Sequence, residues 1–108
     1  MGFDTPQDTD AFRSLVVSHG DKPVFLKFSA SFCAPCQMID EDLKKMAEEF
    51  EDRVGFVAID VEALEDIAML YEVSNLPTFI VLKNLQVVGT AYGTKLDKIR
   101  ALIEESLK

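Results

Sequence analysis

The 108-residue sequence is poor in the residue types that build metal sites, nucleic-acid interfaces and membrane spans. It has two cysteines and a single histidine, whereas a structural zinc site needs roughly four ligands. Its 11 basic residues are outnumbered by 19 acidic ones, which argues against binding to nucleic acid or to anionic membranes. No apolar run approaches the roughly 20 residues that cross a bilayer. These shortages leave a globular protein that works without metal, nucleic acid or membrane.

Two functional signals are also absent. The N-terminus has no basic region followed by an apolar stretch, the pattern that directs secretion, so we expect a cytoplasmic protein. The chain has no glycine-rich phosphate loop, so we expect no nucleotide cofactor. Any electrons that the protein uses must then come from another protein. Its length predicts one domain over residues 1–108, large enough to bury a core without stabilising disulfides or metal ions.

The two cysteines are three residues apart, in Cys33-Ala34-Pro35-Cys36, where an apolar run meets a helical one. This spacing places both sulfurs on one side of a first helical turn. Free N–H groups and the positive dipole end of a helix favour a thiolate, which is the attacking species in disulfide exchange. A disulfide that closes so short a loop adds little stability. The pair therefore points to reversible dithiol chemistry.

Apolar spacing and turn residues predict alternating helices and strands. Such alternation favours parallel strands covered by helices on both faces, and a final hairpin adds an antiparallel edge. The three methionines inside predicted helices, Met38, Met46 and Met69, fit core positions, and His19 is expected on a surface loop. The predicted elements are a helix capped near Asp8, a strand at 24–28, a helix at 33–50, a strand at 56–59, a helix at 62–71, strands at 78–82 and 86–88, and a helix at 95–108.

With these motifs the chain resembles the thioredoxins over nearly its whole length. The resemblance rests on the Cys-x-Pro-Cys run after Phe32, on Gln37-Met38-Ile39, on Leu76-Pro77-Thr78-Phe79 and on Gly93. It implies an α/β thioredoxin fold, with a central mixed sheet of four to five strands flanked by four helices. It also implies a thiol–disulfide oxidoreductase that reduces protein disulfides and has no bound cofactor beyond a redox-active disulfide. We further expect a monomer that is reduced by a thioredoxin reductase or another electron donor.

The resemblance also implies roles for single residues. Cys33 corresponds to the exposed nucleophile and Cys36 to the partly buried resolving thiol. Pro77 corresponds to a proline that follows a cis peptide bond and faces the cysteines. The remaining positions correspond to a flat apolar rim against which substrate packs: Phe32, Ala34, Pro35, Leu76 and Gly93.

Three positions depart from the usual pattern. Phe32 replaces tryptophan and so lacks an indole N–H donor. Ala34 replaces glycine, and alanine favours helix over glycine by about 1 kcal/mol. Lys27 replaces a buried aspartate that is thought to exchange a proton with the resolving thiol. We hypothesise that Lys27 modulates the Cys36 thiol, as a neutral base or as a charge that favours the thiolate. The alternative is that its stem packs inside while its ammonium reaches solvent.

Two other functions remain open from the sequence. Ala34 and Lys27 are compatible with a less reducing disulfide oxidase or isomerase of the same fold. A binding adaptor would grip partner chains on the rim between Phe32 and Pro77 and leave the dithiol idle.

Overall fold

A four-stranded mixed sheet forms the centre of the computed structural model, which describes residues 2–108. In chain order its strands are β1 (Val24–Ser29), β2 (Gly55–Asp60), β3 (Thr78–Lys83) and β4 (Gln86–Tyr92). They lie side by side in the order β2-β1-β3-β4. β1 runs parallel to β2 and antiparallel to β3, and β3 pairs with β4 as an antiparallel hairpin. The mixed sheet predicted from the sequence is confirmed.

Residues 2–108 contain five helices, one more than predicted. They are α1 (Thr9–Ser18), α2 (Ala34–Met38), α3 (Asp40–Phe50), α4 (Glu65–Leu70) and α5 (Leu96–Ser106). The extra helix arises because the predicted helix at 33–50 is broken at Ile39, whose backbone leaves the helical conformation with φ −104° and ψ 4°. The short α2 and the longer α3 can therefore point in different directions.

The two central strands, β1 and β3, are antiparallel, whereas the alternation of helices and strands in the sequence predicted parallel strands. β3 begins at the same end of the sheet where β2 finishes, since Thr78 pairs with Phe28 and Asp60 pairs with Ser29. The connection contains only α4, whose six residues span about 9 Å. A six-residue strand spans about 20 Å. The chain does not return along the sheet before β3 begins, and β3 therefore runs antiparallel to β1.

Helices cover both faces of the sheet, as predicted. One core packs α3 and α5 against the face that carries Phe25, and the other packs α1 and α4 against the face that carries Leu26. Because side chains alternate along a strand, Lys27 lies on the same face of β1 as Phe25. This is the face that α3 covers.

The prediction for two of the three methionines was wrong. Met46 is buried, but Met38 is 77% exposed and Met69 is 75% exposed. Met69 shares a face of α4 with Glu65 and Asp66, so it lies on the polar side of its helix. Met38 is the last residue of α2, and because the helix is broken at Ile39, the core spacing of a continuous helix does not apply to it.

His19 lies in the turn that follows α1, as expected, but its side chain is not fully at the surface. His19 is the C-cap residue of α1 and is partly buried. Its imidazole lies so close to Gly55 that a Cβ atom there would stand 2.5 Å from Nε2. That nitrogen is buried without a hydrogen-bond partner in the described part of the chain. The His19 side chain therefore packs the end of α1 against the start of β2.

A short N-terminal segment closes the free edge of β2. The amide of Asp4 donates to the carbonyl of Phe56 at 2.9 Å, and the amide of Ala58 donates to the carbonyl of Asp4 at 2.8 Å. Within residues 2–108, the sheet has four strands, and this single bridge takes the place of a fifth. It places the Phe3 ring edge-on to Phe56, with the ring centroids 5.4 Å apart.

The cap of α1 gives the first prediction. The Asp8 carboxylate accepts a hydrogen bond from the Ala11 amide at 2.8 Å, which satisfies one of the free N–H groups of the first turn. Replacing Asp8 by alanine should lower the free energy of unfolding by about 1 kcal/mol. Asp8→Asn should lower it much less, because asparagine also caps a helix. Urea unfolding of the oxidised protein measures both. Equal losses in the two variants would show that the cap is not the cause.

Candidate active site

Three chain segments meet at one end of the sheet. The segment after β1 carries the cysteines, the segment before β3 carries Pro77, and the segment after β4 begins with Gly93. The registers Phe28–Thr78 and Thr78–Tyr92 align these ends. The amide of Gly93 also donates to the carbonyl of Pro77 at 3.1 Å. The fold therefore gathers residues that are far apart in the sequence.

The cysteine loop is fixed to the end of β1 by two hydrogen bonds. The amide of Cys33 donates to the carbonyl of Ala30 at 3.1 Å. The side-chain amide of Gln37 donates to the carbonyl of Ser31 at 2.7 Å and ties α2 back to the loop that precedes it. These bonds set the position from which α2 starts.

The two cysteines form a disulfide, with their Cα atoms 5.3 Å apart. Cys33 is the N-cap residue of α2, and its sulfur accepts a hydrogen bond from the Cys36 amide at 3.2 Å. Pro35, in the first helical turn, has no N–H that would need a partner. Cys33 therefore occupies the helix end at which a thiolate is favoured.

The expected difference in exposure between the cysteines is not present in the disulfide form. Cys33 is 6% exposed and Cys36 is 8% exposed, although Cys33 was expected to be the exposed one. Both cysteines are buried while they are bonded to each other. What distinguishes the two cysteines is their position on the helix.

The peptide bond between Leu76 and Pro77 is cis, as the resemblance implied. Pro77 is buried, and the loop before it is held by Thr78, whose hydroxyl donates to the carbonyl of Asn75 at 2.6 Å. Gly93 has φ +84°, a conformation that suits glycine. It lies half-buried beside Pro77.

The predicted rim residues differ in how far they project. Phe32 is 71% exposed, and Ala34 and Pro35 are exposed beside it. Leu76, like Gly93, is half-buried. Met38, which was not expected at the surface, lies four residues after Ala34 and so on the same side of α2. In the continuous helix predicted over 33–50, the charged residues at positions 42 and 45 share a side with Met38 and were the available signal.

Lys27, the largest departure from the family pattern, is held by an acidic partner. Its side chain is 13% exposed, and Nζ lies 3.1 Å from Oδ1 of Asp40. The same nitrogen lies 4.7 Å from the centre of the Phe3 ring, within the range of a cation–π contact. Both contacts suit a charged ammonium. This geometry favours the charged form of Lys27 over the neutral base and over an ammonium free in solvent.

Asp40, which the sequence analysis did not single out, carries the negative charge of this group. It begins α3, and its second oxygen lies 3.3 Å from Nζ of Lys44. Burial acts to raise the pKa of Asp40, but the hydrogen bonds and charges of Lys27 and Lys44 outweigh it, so that the pKa is lowered. The available signals were the spacing of four residues from Asp40 back to Cys36 and forward to Lys44.

An open cleft of about 380 Å³ connects this charged group with one of the cysteines. Cys36 contributes to its wall, together with side chains from β1, the end of β2, α2 and the start of α3. The other lining residues are Lys27, Ser29, Ala30, Ser31, Gln37, Asp40 and Asp60. Water in this cleft can reach Cys36 from the side of the sheet.

The comparisons with known proteins agree with this geometry. A sequence model of the thioredoxin family, described as "Thioredoxin", matches residues 5–105. The chain belongs to the thioredoxin family. Thioredoxin from Oryctolagus cuniculus is 39% identical over 101 residues, which cover 94% of this chain and 95% of that protein.

Solved structures of the family are similar as well. Thioredoxin from Fasciola hepatica superposes with a TM-score of 0.91 at 25% identity, covering 96% of this chain and 99% of that one. The reduced thioredoxin pre-protein of Schistosoma mansoni gives a TM-score of 0.90 at 32% identity, covering 97% of this chain and 98% of that one. With its disulfide-forming pair Cys33–Cys36, this chain is a thiol–disulfide oxidoreductase of the protein-disulfide reductase type. The relatives favour neither the oxidase or isomerase alternative nor the adaptor.

No group of three or more potential ligands that could hold a metal ion occurs within residues 2–108. Over the same range, every helix is too short or too polar to cross a bilayer.

The lowered pKa of Asp40 predicts how its contribution to stability depends on pH. A carboxylate whose pKa is lower in the folded state stabilises the fold above its unfolded pKa, about 3.9. That contribution is lost as the pH falls through the folded value. Asp40→Asn should therefore be less stable than the unmodified protein near neutral pH, and the difference should shrink below about pH 4. Urea unfolding at several pH values tests this. A difference that stays constant or grows in acid would contradict it.

Proposed function

We propose that Cys33 is the nucleophile that attacks protein disulfides and that Cys36 resolves the mixed disulfide. The observation that carries this assignment is the hydrogen bond from the Cys36 amide to the Cys33 sulfur at the start of α2. In the reduced protein the same amide and the helix dipole would stabilise a thiolate on Cys33. Cys36 lies inside the first turn, where it reaches Cys33 within a single chain.

The reaction then has two balanced steps. The Cys33 thiolate attacks one sulfur of the substrate disulfide, forming the mixed disulfide and releasing the other substrate sulfur as a thiolate. Cys36 loses its proton and attacks the Cys33 sulfur. The Cys33–Cys36 bond forms, the bond to the substrate breaks, and its electron pair leaves on the second substrate sulfur. Both substrate thiolates take up protons, so the substrate gains two electrons and the dithiol loses two.

We propose that the substrate packs as an extended segment against the rim. Phe32 projects beside the cysteine loop and provides apolar contact area. The segment containing Leu76 and Pro77 lies at the same end of the sheet. Because proline has no N–H, the backbone of Leu76 is the neighbouring group that would pair with a substrate strand. Met38 extends the apolar contact along α2.

We propose that a separate electron donor, such as a thioredoxin reductase, returns the disulfide to the dithiol. Supporting this, each turnover consumes two electrons, and the dithiol has no other source of electrons within the proposed reaction. No bound cofactor is needed for exchange between sulfurs. Such a protein suits a reducing compartment such as the cytoplasm, where thiols are kept reduced. Cell fractionation with an antibody against the protein tests the location.

A single substitution separates the roles of the cysteines. Cys36→Ser should lose turnover and accumulate mixed disulfides through Cys33, because the resolving step is blocked. The matched variant Cys33→Ser should lose turnover without accumulating them. Non-reducing gels and mass spectrometry of protein incubated with a disulfide-containing substrate measure both. Trapping through Cys36 instead would reverse the assignment, and equal binding without either thiol would indicate an adaptor.

The rim predicts a change in substrate affinity. Phe32→Ala removes an exposed aromatic side chain, so KM for a protein disulfide should rise several-fold while the free energy of unfolding changes by less than about 0.5 kcal/mol. Val17→Ala is the control, since Val17 is 64% exposed and lies on α1. Insulin reduction under steady-state conditions measures KM. An unchanged KM in Phe32→Ala would remove Phe32 from the substrate surface.

A further inference from the structure

A pair of opposite charges lies in the wall of the cleft that contains Cys36. Lys27 comes from β1 and Asp40 from α3, and the two join at 3.1 Å. Cys36 lines the same cleft, whereas Cys33 is not among its lining residues. The pair is therefore placed to act on the second cysteine. The following inference rests on the proposed role of Cys36 as the resolving thiol.

Asp40 is unsuited to taking the proton from Cys36. It faces two ammonium groups, at 3.1 Å and 3.3 Å, and these hold it in the ionised form. A carboxylate with a lowered pKa is a weak base towards a thiol, whose ordinary pKa is about 8.5. Asp40 is better described as a fixed negative charge, and the open cleft leaves water as the acceptor of the proton.

The other charged group in the cleft is Asp60, at the end of β2. It is exposed, and its carboxylate accepts a hydrogen bond from the Glu62 amide at 2.9 Å. Gln37 is polar and uncharged. Asp60 is the same in every variant proposed below, so Lys27 and Asp40 are the lining charges whose balance is tested. Lys44, which contacts the other oxygen of Asp40, is exposed and does not line the cleft.

We propose that Lys27 and Asp40 set the proton affinity of Cys36 in opposite directions. The ammonium of Lys27 favours the Cys36 thiolate. The carboxylate of Asp40 holds that ammonium against the wall of the cleft and offsets part of its charge. Lys27 and Asp40 are thus positioning residues for the resolving step: Cys36 passes its proton to water, and its thiolate attacks the Cys33 sulfur and displaces the substrate thiolate.

Opposite charges should shift the Cys36 titration in opposite directions. In a Cys33→Ala background Cys36 is the sole thiol, and its thiolate is followed by ultraviolet absorbance against pH. Lys27→Met should raise the titration midpoint by about half a pH unit, a roughly threefold loss of thiolate at a given pH below the midpoint. Asp40→Asn should lower the midpoint by a similar amount, because Lys27 then acts without its counter-charge.

Two controls separate charge from structure. Lys27→Arg keeps the positive charge and should stay near the unmodified midpoint. Glu49→Gln removes a different ion pair, in which Arg100 of α5 donates to Glu49 of α3 at 2.7 Å and 2.9 Å. It should leave the midpoint unchanged. Circular dichroism establishes that each variant is folded.

Shifts of the same sign in Lys27→Met and Asp40→Asn would overturn the proposal, since general loosening of the fold moves both in one direction. No shift in either variant would overturn it as well. The titration needs no substrate and no turnover, so it is independent of the test of Cys36 as resolving thiol. If Cys36→Ser fails to trap substrate while the midpoints move as expected, the role of Cys36 is wrong and the effect of the charges stands.

Discussion

The antiparallel pairing of β1 with β3 is the contact on which the active site depends. β1 is a central strand, and its last residue paired with β3, Phe28, lies opposite Thr78 at the start of β3. The cysteine loop leaves from one member of this pair and Pro77 precedes the other, so the register alone brings them to one end of the sheet. A slip of one residue would turn Lys27 to the other face of β1. It would then point away from α3 and from Asp40.

Much of this arrangement could be predicted from the sequence, because the decisive residues carry local signals. The cysteine pair at a strand-to-helix junction and the Leu76-Pro77-Thr78 run specified the family, the mixed sheet and the cis peptide bond. The features that could not be predicted depend on how the helices and strands are oriented relative to one another. No proline or glycine marks the break at Ile39. The antiparallel course of β3 follows from its beginning at the end of the sheet where β2 finishes. Asp40 became visible only when α3 was seen to pack on the face of the sheet that carries Lys27.

The lysine in β1 shows how the fold accommodates a charge where the family keeps a carboxylate. An isolated ammonium on a core-facing position would be costly to bury. Here the cost is reduced in three ways: an acidic partner at 3.1 Å, an aromatic ring at 4.7 Å and a cleft open to water. The lysine at this position therefore depends on the carboxylate at the start of α3. The two positions are best compared between relatives as a pair, since either residue without the other leaves an unmatched charge.

The bridge at Asp4 has a consequence for work with the purified protein. N-terminal residues are usually the part of a domain most tolerant of alteration, but here Phe3 forms part of the contact with Lys27, behind the Cys36 cleft. An affinity tag, a fusion partner or a truncation that disturbs the pairing of residue 4 with β2 would withdraw the ring from the ammonium. Redox constants measured on differently tagged preparations would then describe different environments of the same thiol. Placing tags at the C-terminal end avoids this source of disagreement.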